Sequence, residues 1–123
     1  MTVIQIKNAT EFEVLLRSHD RVRKILQFLS ISNIIPQVIV YFWAEWCGSC
    51  RMIGPTFEEH SKSTSSVCFA SVDCDKVMEV SQRQGINAMP TFTFYKHGSE
   101  SKRIVGTYNK RDLENLVFVA AES

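Results

Sequence analysis

The run Trp46-Cys47-Gly48-Ser49-Cys50 constrains this chain more than any other stretch, because it falls where a strand pattern gives way to a helix pattern. The residues before it, Val38-Ile39-Val40-Tyr41-Phe42-Trp43, are almost all apolar, as in a central strand covered on both faces. The residues after it carry Met52, Ile53, Phe57 and His60 at helical spacing, in a helix that opens at about Gly48 and runs to Ser61. Two cysteines so spaced can close a small disulfide ring with little backbone movement. The first lies at the helix N-terminus, where unpaired N–H groups and the macrodipole favour a thiolate. Cys47 is therefore the candidate nucleophile. Cys50, one turn further in, is placed to attack a mixed disulfide formed on Cys47 and to release the partner. The chemistry predicted is thiol–disulfide exchange.

The same spacing is also half of a zinc site, which would need two more ligands. Cys68, Cys74, His19, His60 and His97 form no second close-spaced pair, so no metal is expected. The redox reading gains from Ala88-Met89-Pro90-Thr91, which follows a helix pattern and opens the apolar strand Thr91-Phe92-Thr93-Phe94-Tyr95. A proline cannot donate to a ladder and belongs at a strand's first residue, where a cis X-Pro bond is one way to make the turn.

Strand and helix patterns alternate along the remainder. Thr2 to Ile6 alternates like a strand, and Phe12, Leu15 and Leu16 begin a helical stripe behind the capping residues Asn8 and Thr10. Pro55 falls inside the second helix, where it removes a hydrogen bond and bends the axis. Val67 to Val72 reads as a third strand, and Asp75 as the start of a helix that stops at Gly85. Strands at Phe92–Lys96 and Arg103–Thr107 flank His97-Gly98-Ser99-Glu100, a hairpin signal, and Asn109 caps a last helix carrying Leu113, Leu116, Val117 and Ala120. The result is an α/β sandwich around a mixed sheet.

Trp-Cys-Gly-x-Cys after an apolar strand, Met89-Pro90-Thr91-Phe92, and Gly106 before a final amphipathic helix together resemble the thioredoxin family over almost the whole chain. The resemblance implies a three-layer α/β/α sandwich with a five-stranded mixed sheet. It also implies that Cys47 attacks, that Cys50 resolves, and that the Met89-Pro90 bond is cis and faces the cysteines. Trp46, Gly48, Ser49, Met89, Pro90, Val105 and Gly106 would form a shallow groove for an extended segment of a substrate protein. The implied activity is protein-disulfide reduction in cellular redox homeostasis. No cofactor would be bound, and electrons would come from NADPH through a flavoprotein thioredoxin reductase. The alternative is a redox-dependent binding module that docks partners through the Trp46/Pro90 groove with little turnover.

Composition agrees. A chain of 123 residues that is 45% hydrophobic can bury one core, so a single domain is expected. A net charge of +1 gives no electrostatic reason to expect nucleic acid or an acidic membrane surface as partner. The first residues carry no export signal, and no apolar run approaches the roughly 20 residues of a membrane span. A cytoplasmic monomer is expected, with the nucleus as a second compartment. In such a reducing setting Cys68 reads as a small core residue, and Cys74, just past the strand, leaves open an exposed regulatory thiol as a minor reading. Asn8-Ala9-Thr10 is formally a glycosylation sequon and reads as a turn into the first helix.

Two departures from the family bear on rate and potential. Tyr41 stands where the family has a buried aspartate thought to help deprotonate the resolving cysteine; a phenol is a poor base at neutral pH, although its hydroxyl could orient a water. Ser49 stands where proline is usual, which restores an N–H and adds a hydroxyl donor near the Cys47 sulfur. Both donors favour the thiolate and a more oxidising couple.

A stretch of about 22–37 is surplus to the family's spacing between first helix and second strand. It reads either as a longer first helix, with His19, Val22, Leu26 and Leu29 continuing the stripe of Phe12, or as a translated intron. The second reading rests on codons that these residues allow, GTAAGA for Val22-Arg23 and CCACAG for Pro36-Gln37, the two ends expected of an intron, and deletion joins Arg21 directly to Val38.

Overall fold

The computed structural model describes residues 3–17 and 37–123, and the alternation of the sequence becomes in them one five-stranded sheet between helices. In chain order the elements are β1 (Ile4–Ile6), α1 (helical over 9–17), β2 (Gln37–Trp43), α2 (Gly48–Ser63) and β3 (Val67–Asp73). They continue with α3 (Met78–Arg83), β4 (Thr91–Lys96), β5 (Ser99–Val105) and α4 (Lys110–Ala121). The sheet order is β1-β3-β2-β4-β5, with β1, β3 and β2 parallel and β4 and β5 antiparallel. This is the mixed sheet expected.

β2 sits at the centre, and the period of two in its side chains divides the core. Ile39 and Tyr41 point to the face covered by α2 and α4, where they meet Ile53, Phe57, Leu113 and Leu116. Val38, Val40 and Phe42 point to the face covered by α1 and α3, where they meet Phe12, Leu16, Val77 and Val80. Three layers follow because both faces of β2 are apolar. Phe57 is 1% exposed and packs against Tyr41, Phe69 and Phe92, so truncation to alanine there would cost about 3–5 kcal/mol.

Local chemistry sets several boundaries differently from the sequence pattern. Asn8 caps α1 by accepting the Glu11 N–H (2.8 Å), while Glu11 reaches back to the Lys7 N–H (2.9 Å); Thr10 lies inside the helix and is not a cap. α3 starts at Met78 rather than Asp75, because the Asp73 carboxylate takes the N–H groups of Asp75 and Lys76 into a turn. β5 begins at Ser99, not Arg103. His97 and Gly98 both adopt positive φ (57° and 77°), the geometry of a two-residue hairpin turn, so the strands pair from Lys96–Ser99 onward. Gln37 is the first residue of β2, buried and paired with Val67. The remainder of the surplus stretch, and the helical stripe through His19, Val22, Leu26 and Leu29, lie outside the described residues.

Candidate active site

Strand registers bring the singled-out residues to one end of the sheet. Phe42 pairs with Thr91 and Thr91 with Val105, so β2 ends where β4 begins and β5 ends. Trp43 pairs with Asp73, which puts the end of β3 there too. The segments holding Cys47, Asp75, Pro90 and Gly106 therefore lie at the same end of the sheet.

Cys47 is the N-cap of α2, and its sulfur accepts the Cys50 N–H at 3.1 Å. Cys47 and Cys50 form a disulfide across a Cα–Cα distance of 5.3 Å. In this state both are buried, Cys47 at 4% exposure and Cys50 at 2%, so the difference in depth expected between them is small. The Ser49 hydroxyl lies 3.8 Å from the Cys47 sulfur. The backbone N–H that reaches the sulfur belongs to Cys50, and the contribution of Ser49 is its hydroxyl. Gly48 is exposed, with open space where a Cβ would project.

Trp46 is 67% exposed, and its indole N–H donates to the Asp75 carboxylate at 2.8 Å. Sequence reasoning missed Asp75, taking it only as the start of a helix; the turn made by Asp73 is what aims it at Trp46. Arg51 donates to the Glu45 carbonyl at 2.8 Å, tying the first turn of α2 to the loop before it. The Met89-Pro90 bond is cis, and the Pro90 carbonyl accepts the Gly106 N–H at 2.7 Å. Met89 packs against both core clusters, including the one that holds the two cysteines. Val105 is half exposed beside Gly106, whose φ of 69° suits a residue without a Cβ.

Tyr41 is buried, its ring stacked on Phe92 with centroids 4.8 Å apart. Its hydroxyl donates to the Cys50 carbonyl at 2.9 Å, and so binds the helix rather than a water in front of the sulfur. Burial pushes its ionisation well above the ordinary phenol range.

Cys68 is a core residue as expected, its thiol pushed up to about 11 by burial. Cys74 is not exposed. It is 5% accessible, its N–H bonds the Trp43 carbonyl at 2.9 Å, and burial foremost pushes its thiol up to about 11. Neither suits a reactive thiol. His60 lies near the C-terminal end of α2 and His97 in the β4–β5 turn, at the far end of β4 from Pro90. Among the described residues no group of three or more His, Cys, Asp or Glu could hold a metal ion.

A family model, Thioredoxin, matches residues 24–118. The chain is similar to an H-type thioredoxin of Oryza sativa subsp. indica, with 37% identity over 109 residues, 89% of this chain and 88% of that protein. It is similar to Thioredoxin 1 of Plasmodium falciparum, with 43% identity over 91 residues, 74% of this chain and 86% of the relative. Among solved structures, reduced Schistosoma mansoni thioredoxin pre-protein is similar at a TM-score of 0.80 and 31% identity, covering 98% of this chain and 99% of that one.

Proposed function

The chain belongs to the thioredoxin family, and from that premise we propose how its protein-disulfide reductase activity is divided among its residues. The observation that carries the reading is the Cys47–Cys50 disulfide at the N-terminus of α2. In the reduced protein the Cys47 thiolate attacks one sulfur of a substrate disulfide. A Cys47–substrate bond forms, and the other substrate sulfur leaves as a thiolate. Cys50, once deprotonated, attacks the Cys47 sulfur and expels the second substrate thiolate. Two electrons have then passed to the substrate, and the cysteine pair ends as the disulfide. Cys47 is assigned the first attack because the helix N-terminus and the Cys50 N–H stabilise negative charge on its sulfur, with the Ser49 hydroxyl as a further donor.

The groove comprises Trp46, Gly48, Ser49, Met89, Pro90, Val105 and Gly106. Exposed apolar surface at Trp46 and Val105 gives an extended substrate segment something to cover, and the bare Cα of Gly48 lets its main chain approach Cys47. Tyr41 modulates the second step through its bond to Cys50. Both electrons reside in the cysteine pair, so the chemistry asks for no resident cofactor. Recharging comes from NADPH through a flavoprotein thioredoxin reductase, and the partners are that enzyme and disulfide-containing proteins.

The chain acts as one monomeric domain of 123 residues in the cytoplasm, with the nucleus as a second compartment. No described helix is long and apolar enough to cross a membrane. An intact second cysteine provides an exit from every adduct, which disfavours a module that only binds. The test is reduction of a protein disulfide coupled to NADPH and a flavoprotein thioredoxin reductase. Continuous NADPH oxidation that depends on this chain is expected. Turnover with dithiothreitol but none with the reductase would overturn the electron source and leave the exchange chemistry standing.

A further inference from the structure

The second exchange step needs Cys50 to lose its proton before its sulfur can attack, yet Cys50 is 2% exposed. Among the described residues, no carboxylate or imidazole hydrogen-bonds it. Tyr41 commits its hydroxyl proton to the Cys50 carbonyl, and its phenol is held far from ionisation, so it neither accepts nor releases a proton at neutral pH. The core that surrounds Cys50 is otherwise apolar, formed by residues such as Ala44, Ile53 and Phe57.

A cavity of about 680 Å³ reaches Cys50 from the side of β1 and α2. This space is many times the roughly 30 Å³ share of a single water, and wide enough for a small solute. The charged groups lining it are Glu45 from the loop after β2 and Arg51, Glu58, Glu59 and Lys62 from α2, all of them exposed. Gln5 of β1 with Val3 just before it, Trp43 of β2 and Ser71 of β3 complete that side, so among the described residues Tyr41 is the one titratable group the sheet brings to the cavity. Three carboxylates against two cations around the opening stabilise a base that takes up a proton there.

Resting on the exchange reading above, we propose that this cavity is the proton exit of the resolving step, entered by a small base from solvent. The base takes the proton from the Cys50 thiol and leaves as its conjugate acid. The Cys50 thiolate then forms a bond to the Cys47 sulfur as the Cys47–substrate bond breaks, and the substrate sulfur departs with that electron pair. The cysteine pair is oxidised by two electrons and the substrate reduced by two. Resolution by this chain is thus open to general-base catalysis from the buffer, whereas the first attack, by the Cys47 thiolate, is not.

The test mixes the reduced protein with an aryl disulfide that releases a coloured thiolate of low pKa, which needs no acid to leave. The first release reports attack by Cys47 and the second reports resolution by Cys50. At fixed pH and ionic strength, free imidazole should raise the second rate at least about threefold across its usable range and leave the first unchanged. Imidazole grafted to dextran, too large to enter, should raise neither. Ser71 pairs with Tyr41 and lines the cavity, so Ser71→Leu should narrow the approach to Cys50 and weaken the imidazole dependence. A second rate independent of imidazole, or equally raised by the grafted form, would overturn the proton exit. Absence of any second release would instead overturn the exchange reading itself. The wild-type measurements decide the matter even if Ser71→Leu does not fold.

Discussion

The Tyr41 hydroxyl donates to the Cys50 carbonyl across 2.9 Å, which ties the first turn of α2 to the central strand directly behind the disulfide. The ring is fixed in turn by stacking on Phe92 and contact with Phe57. Tyr41 therefore serves as an anchor and not as a base.

Tyr41→Phe removes that bond and keeps the ring, so it should cost about 1 kcal/mol in urea unfolding without moving the pH profile of turnover. Tyr41→Asp should shorten the lifetime of a mixed disulfide on Cys47 by bringing a carboxylate to Cys50, with a stability loss of about 2 kcal/mol or more from the lost ring and the buried charge. An unchanged lifetime in the aspartate variant would reject this account of the second step.

Ser49→Pro should make the couple more reducing, because it deletes the hydroxyl that lies 3.8 Å from the Cys47 sulfur and favours the reduced state. Ser49→Ala should shift it in the same direction, since the hydroxyl and not the Ser49 N–H is the donor near the sulfur. Equilibration of each variant with a glutathione redox buffer measures the shift, and a potential that is unchanged or more oxidising refutes the argument.

Asp75→Ala should release the Trp46 indole from its 2.8 Å bond. Loss of roughly 1 kcal/mol of positioning corresponds to about a fivefold rise in KM for a protein disulfide, with kcat little changed. An equal fall in kcat and kcat/KM would place Asp75 in the chemical step instead.

Much of this was legible because the signals are local. Cys47 and Cys50 announce their chemistry by spacing at a strand-to-helix junction together with Met89-Pro90-Thr91, and the unbroken apolar run of β2 announces a strand covered on both faces. What the sequence hid were side-chain to backbone choices. The Asp73 carboxylate delays α3 and thereby aims Asp75 at Trp46, and the left-handed pair His97-Gly98 lengthens β5 by four residues at its start. Cys74 looked exposed because it follows an apolar strand, but β3 runs on through Asp73 and the Cys74 N–H pairs with the Trp43 carbonyl. The cavity behind Cys50 was invisible for the same reason: Val3, Ser71 and Gly54 come together only in the folded chain.

For the surplus stretch, the buried position of Gln37 in β2 moves the junction by one residue. A chain joining Arg21 to Gln37 should fold, unfold more cooperatively and keep its disulfide-reductase activity, because an apolar sequence beyond the family's spacing, with Phe28, Leu29, Ile31, Ile34 and Ile35, promotes association. Failure of the shortened chain to fold, together with a mature transcript that reads through these codons, would make the stretch a genuine part of the protein.

The division of labour between the cysteines is tested most directly by mapping the adduct left on single-cysteine variants after exposure to a protein disulfide. Cys50→Ser should accumulate a stable mixed disulfide on Cys47, located by mass spectrometry, and Cys47→Ser should form none and lose turnover by orders of magnitude. Full turnover by Cys47→Ser, or an adduct carried on Cys68 or Cys74, would contradict the assignment.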